Sequence, residues 1–73
     1  MRTIPCPIAD HEASVYYNDG SRSCVVSVKP VNEPHWWTTV GSVGHAHMTA
    51  SEVDGRAQSA MLHWAKCHNL LLA

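Results

Sequence analysis

Seventy-three residues, 45% hydrophobic and 15% charged, make one small domain, because a chain this short buries only roughly 60% of the surface it exposes unfolded and has nothing left for a second core. The apolar content is too high for a disordered chain, and no apolar run approaches the roughly 20 residues of a membrane-spanning helix, so the chain reads as soluble, folded and without a membrane role. Five Lys and Arg against six Asp and Glu give a formal charge of -1, and Arg2, Arg22, Lys29, Arg56 and Lys66 are dispersed, which argues against nucleic acid, where clustered cations supply most non-specific affinity.

Residues 1–11 carry Pro5 and Pro7, which fix extended backbone and remove two amide donors, so this segment is an arm or edge lying on the domain. It has no apolar stretch of signal-peptide length, which points to a cytoplasmic protein. Cys6, Cys24 and Cys67 form an odd count without paired spacing, so reduced thiols are expected, at least two of them in the core.

Residues 12–29 read as a hairpin, with Asp19-Gly20 as the tight-turn signal. If those two residues are the turn, Val15 faces Cys24, Ala13 faces Val26 and Tyr17 faces Arg22. Period-2 alternation then collects Ala13, Val15, Tyr17, Cys24, Val26 and Val28 on a core face. Glu12, Ser14, Tyr16, Ser23, Val25, Ser27 and Lys29 fall on a wetter one. Pro30 to Pro34 makes a loop. A third strand is expected over 35–43, with either Trp36, Thr38 and Val40 or Trp37, Thr39 and Val43 pointing inward, leaving one tryptophan on the opposite side.

Thr49-Ala50-Ser51-Glu52 fits a capping box, so a helix begins at Ala50 and runs to residue 68. At 100° per residue, Val53, Ala57, Ala60, Met61, Trp64, Cys67 and His68 form an apolar stripe fit to cover one sheet face. Asn69 suits the left-handed conformation that ends a helix, leaving residues 69–73 as a tail that packs back or adds a short strand. The expected fold is therefore α+β: a three-stranded antiparallel sheet with one C-terminal helix on one face.

Six histidines in 73 residues raise metal binding as an alternative. His45 and His47 lie on one side of an extended segment, and His63 and Cys67 lie one helical turn apart, both usable geometries for zinc. The helix rise carries His63 roughly 20 Å from the helix start beside which His45 and His47 sit, which opposes one four-ligand site within a chain and leaves a site shared between chains. Without such a site the histidines are exposed or edge residues and no cofactor is called for. Protonating all six takes the formal charge from -1 to +5, making surface binding sensitive to pH.

Catalysis has little to build on. Cys67 has an imidazole at His63, but it sits near the helix C-terminus, where the dipole disfavours a thiolate, and a core role is the simpler reading. No phosphate cradle, nucleophile with a recognisable base or carboxylate pair stands out. A helix covers only one sheet face, so Tyr16, Val25 and one of Trp36 and Trp37 should form an apolar patch on the other, rimmed by residues such as Lys29. Leu62 is a second exposed candidate. The competing reading is that the N-terminal arm, through Ile4 and Ile8, or the Leu70–Leu72 tail covers the patch.

Three strands and a capped helix bearing Ala57, Ala60, Met61 and Trp64 resemble the later part of a double-stranded-RNA-binding domain. The acidic Ser51-Glu52-Val53-Asp54 stands where that family has lysines, and the family's first helix is absent. The Tyr17–Gly20 hairpin with Thr49–Glu52 resembles HicB-type antitoxin domains in pattern. In size and architecture the chain is similar to small accessory proteins of bacteriophages and mobile elements, anti-CRISPR inhibitors among them. That likeness implies a non-enzymatic inhibitor that occludes a protein partner, with homodimerisation through the same face as a further possibility.

Overall fold

A computed structural model describes residues 2–18, 20 and 22–73, and its elements follow in chain order: β1 (Arg2–Ile4), β2 (His11–Asn18), β3 (Ser23–Pro30), β4 (Thr38–Gly44) and α1 (Ala50–Cys67). The strands form one antiparallel sheet in the order β1-β2-β3-β4, with the helix on one face. The α+β class and C-terminal helix match expectation, but the sheet has four strands, not three. The additional strand comes from the arm, where Arg2, Thr3 and Ile4 pair with Val15, Ser14 and Ala13. It ends immediately before Pro5, whose missing amide stops the ladder, and three residues are too few for the alternation to announce a strand.

The central hairpin is wider than a two-residue turn would make it. Val15 pairs with Val26, Ala13 with Val28 and Tyr17 with Cys24, a slip of two residues from the expected register. Asn18 pairs with Ser23, so four residues and not two separate the paired ends, and Arg22 just before Ser23 adopts a left-handed φ of 52°. Asp19 and Ser21 themselves lie outside the described residues. Because the slip is even, no side chain changes face. Ala13, Val15, Cys24, Val26 and Val28 are buried as expected, while Tyr17 is only partly buried.

Strand β4 starts at Thr38 rather than His35. Continuing the ladder backward from Thr38–Val28 would set Trp37 against Lys29 and Trp36 against Pro30, which has no amide to donate. Val26 pairs with Gly41 and Ser27 with Thr39, so Val40 is an extra, bulged residue. The bulge interrupts the alternation, and Val40 and Val43 both pack against the core instead of facing opposite ways. Neither expected inward set is realised, and both tryptophans lie outside the strand.

Thr49 caps α1 with a complete capping box: its hydroxyl accepts from the Glu52 amide at 3.2 Å, and its own amide donates to the Glu52 carboxylate at 3.4 Å. Val53, Ala57, Met61 and Ala65 are fully buried. This four-residue ridge advances about 40° per step and so winds across the twisted sheet instead of following the helix axis. Ala60 and Trp64 are partly buried, and Gly41 faces Ala60 across the layer, where a Cβ would make an ordinary van der Waals contact at 3.6 Å. Cys67 and His68, expected in the stripe, are exposed, because the buried ridge has turned to Ala65 and the last turn passes beyond it. His68 lies against Trp64 instead, with ring centroids 4.6 Å apart.

The helix ends in a Schellman motif. Asn69 takes φ 55°, its amide donates to the Lys66 carbonyl, and the Leu70 amide donates to the Ala65 carbonyl at 2.9 Å. The tail then returns along the N-terminal segment: Ile8 bridges Leu72, the Ala9 amide donates to the Leu71 carbonyl at 3.0 Å, and the Ala73 amide donates to the Pro7 carbonyl at 2.8 Å. Ile4 and Ile8 are buried in the core between sheet and helix. No helix is long and apolar enough to cross a membrane among the described residues.

Candidate protein-binding face

Strand pairing arranges the face away from the helix into rows. Glu12 lies opposite Lys29. Thr3, Ser14, Ser27 and Thr39 form a hydroxyl row across all four strands, and Tyr16, Val25 and Ser42 form the next. Tyr16 is 56% exposed, and Val25 beside it is half-buried. The hydroxyl row escaped the sequence reading because Thr3 and Thr39 join it only through the fourth strand and the bulge.

Lys29, expected as an open rim cation, is buried. Its Nζ lies 2.6 Å from a Glu12 carboxylate oxygen, donates to the Pro30 carbonyl at 3.3 Å, and sits 5.7 Å from the centroid of the Trp37 ring. The ammonium is thus held between a cross-strand carboxylate and the Trp37 ring instead of standing free at the rim. Trp37 is 40% exposed, and its cation is paired with Glu12, four residues along β2 from Tyr16. The two aromatic positions therefore stand roughly 13 Å apart at strand spacing, with the hydroxyl row between them.

Trp36 is 72% exposed on the β3–β4 connection, where it lines a shallow cleft of about 380 Å³ with Pro30, Glu33 and Thr38. Val31 on the same connection is 53% exposed. Sequence reasoning passed over it, although an apolar residue between Pro30 and Pro34 has no strand or helix to bury it. The competing reading, in which arm or tail covers the patch, fails on direction: Ile4 pairs with Ala13 on the helix side, and the tail runs along Ile8 and Ala9.

The remaining candidates are spread over the other layer. His45 packs edge-on against Tyr17 at 5.4 Å, with its Nε2 buried and lacking a hydrogen-bond partner. His47 is exposed with φ 58°. His63 and Cys67 meet on α1, Nε2 to Sγ at 3.6 Å. Among the described residues no three His, Cys, Asp or Glu side chains are grouped to hold a metal ion. His45, His47, His63 and Cys67 are therefore not brought together within one chain.

The other thiols offer little chemistry, since burial pushes both Cys6 and Cys24 above the ordinary thiol range, away from the nucleophilic thiolate. Arg2 donates to both Asp54 carboxylate oxygens, at 2.9 and 2.6 Å, and to the Tyr17 hydroxyl at 2.9 Å. This fork pins the edge strand to the helix, and its hydrogen bonds hold the Asp54 carboxyl below its ordinary range. Compared with protein families, curated proteins and solved structures, the chain shows no match.

Proposed function

We propose that this protein is a non-enzymatic binding module that acts stoichiometrically, occluding a protein partner's surface with the open sheet face and the connection beside it. The observation that carries the reading is the exposure of Tyr16, Trp37 and Trp36 at 56%, 40% and 72%, while the helix and the buried side chains of Ile4 and Ile8 lie on the other side of the sheet. Aromatics set among hydroxyls and a paired charge resemble the anchors and polar rim of protein interfaces. Trp37 is held in place by Lys29, so less rotamer freedom is lost when it docks.

The proposal extends to the class of small accessory inhibitors of bacteriophages and mobile elements, such as anti-CRISPR proteins. Its support there is the small α+β architecture, the formal charge of -1 and the absence from these residues of an acidic run that could imitate a nucleic-acid backbone. Affinity capture with the wild type beside Trp36→Ala and Trp37→Ala, each first confirmed to be folded, tests the reading. Binding weakened by more than about 1 kcal/mol in either variant supports an interface anchor. A partner held equally by both variants and by Tyr16→Ser overturns it.

A further inference from the structure

His63 and Cys67 lie on an exposed face of α1, in the layer opposite the open sheet face. Their Nε2 and Sγ atoms are 3.6 Å apart. Two donors on one tetrahedral zinc ion, with Zn–N about 2.0 Å and Zn–S about 2.3 Å, are separated by about 3.5 Å. The pair, joined in this structure by a thiol–imidazole hydrogen bond, already stands at the spacing of two zinc ligands, and its i,i+4 placement on one helix brings the side chains together without a loop having to move.

Two ligands do not complete a tetrahedral site. Among the described residues no third His, Cys, Asp or Glu joins them, so the remaining donors must come from another molecule. The surface bordering the pair suits a second copy of this chain. Leu62, Lys66, Asn69, Leu70 and Leu72 line a cleft of about 540 Å³. Leu62 is 41% and Leu72 56% exposed there. His63 and Cys67 each follow one residue after a cleft-lining residue, Leu62 and Lys66, about a quarter turn around the helix. A two-fold axis through the ion would bring both apolar surfaces toward the contact.

We propose that His63 and Cys67 are half of a Cys₂His₂ zinc site, completed by the same two residues of a second copy. Two thiolates balance the charge of the ion, and two neutral imidazoles complete the tetrahedron. Each thiol surrenders its proton as its Zn–S bond forms, so one ion bound between two chains releases two protons to the buffer. The formal charge of -1 per chain opposes the approach only weakly. This site is independent of the binding face proposed above and leaves that face open in the dimer.

The test uses the full chain with a phosphine reductant, so that a Cys67 disulfide cannot mimic the result. Mass by light scattering is followed with zinc and with chelator, and cobalt(II) serves as a spectroscopic substitute. The expected results are doubling of mass with one ion per two chains, reversal by chelator, and tetrahedral cobalt bands accompanied by thiolate charge transfer. Cys67→Ser and His63→Ala should abolish the doubling and weaken metal binding by more than about tenfold, since losing a ligand exceeds the usual loss on removing a ligand's supporting hydrogen bond. His45→Ala with His47→Ala should leave both intact. One ion per single chain, cobalt bands without thiolate charge transfer, or zinc-driven doubling that survives Cys67→Ser would overturn the proposal.

Discussion

The two faces of the sheet share every strand and differ in almost everything else. On the helix side Val15, Val26 and Val28 are fully buried in one cluster with Ala57, Met61 and Ala65. On the other, Thr3, Ser14, Ser27 and Thr39 line up between an exposed tyrosine and an exposed tryptophan. The first face is filled with small and branched apolar groups that have no polar atom to satisfy, so it can close tightly. The second carries a row of hydroxyls, exposed at its ends Thr3 and Thr39 and buried at Ser14, with aromatic area confined to particular places. The contrast teaches that stability and recognition can be assigned to opposite faces of the same residues' backbone, and each assignment can be challenged.

The largest expected effect is on the helix side. Met61→Ala removes a fully buried side chain and should lower unfolding free energy by about 2–5 kcal/mol in denaturant titration. A loss below about 1 kcal/mol would mean that sheet and helix are not the stabilising pair. Next comes Thr49→Ala, which removes the capping box and should cost about 1 kcal/mol. That loss should appear as a shift of the urea midpoint with unchanged slope, and a changed slope would place the effect in the denatured chain instead.

Asp54→Asn sharpens the comparison at the sheet edge. The folded-state carboxyl of Asp54 is held low by Arg2, so its contribution is complete above the unfolded value of about 3.9 and disappears as pH falls through the lower folded value. Wild type should therefore melt above the variant at neutral pH, with the two curves converging in acid. Parallel curves down to the lowest accessible pH would show that the Arg2–Asp54 fork does not couple folding to protons. The smallest effect belongs to the open face: Tyr16→Ser should change stability by no more than about 0.5 kcal/mol, checked by the same titration. A larger loss would make that face part of the core.

The fold was legible where pattern and chemistry agreed. Alternation in β2 and β3 separated the faces even though the hairpin register was off by two, because an even slip leaves each side chain on its own side. The capping box located the helix start, and Asn69 marked its end. What stayed hidden depended on partners the local pattern does not contain. Three residues of β1 carry too little periodicity to announce a strand, and the Val40 bulge breaks the alternation that would have assigned Trp36 and Trp37. The exposure of Cys67 depends on where the buried ridge of the helix turns relative to the sheet. Tyr16 and one of the two tryptophans could be named as exposed, whereas the exposure of both Trp36 and Trp37 follows from the late start of β4, and the pairing of Lys29 with Glu12 beneath Trp37 follows from a register that composition does not carry.

The strand order follows the chain order, so each sheet neighbour is joined by a nearby reversal, whereas the Ile8–Leu72 bridge closes almost the entire polypeptide. Loop-closure entropy rises by only about 0.6 kcal/mol per doubling of length, but the few backbone bonds around that bridge must offset several doublings beyond the hairpin closures. The meander can therefore zip from its turns before the ends meet. On unfolding, the same seam is the natural place for fraying to begin, opening the edge beside the buried Ile8 while the central hairpin still stands.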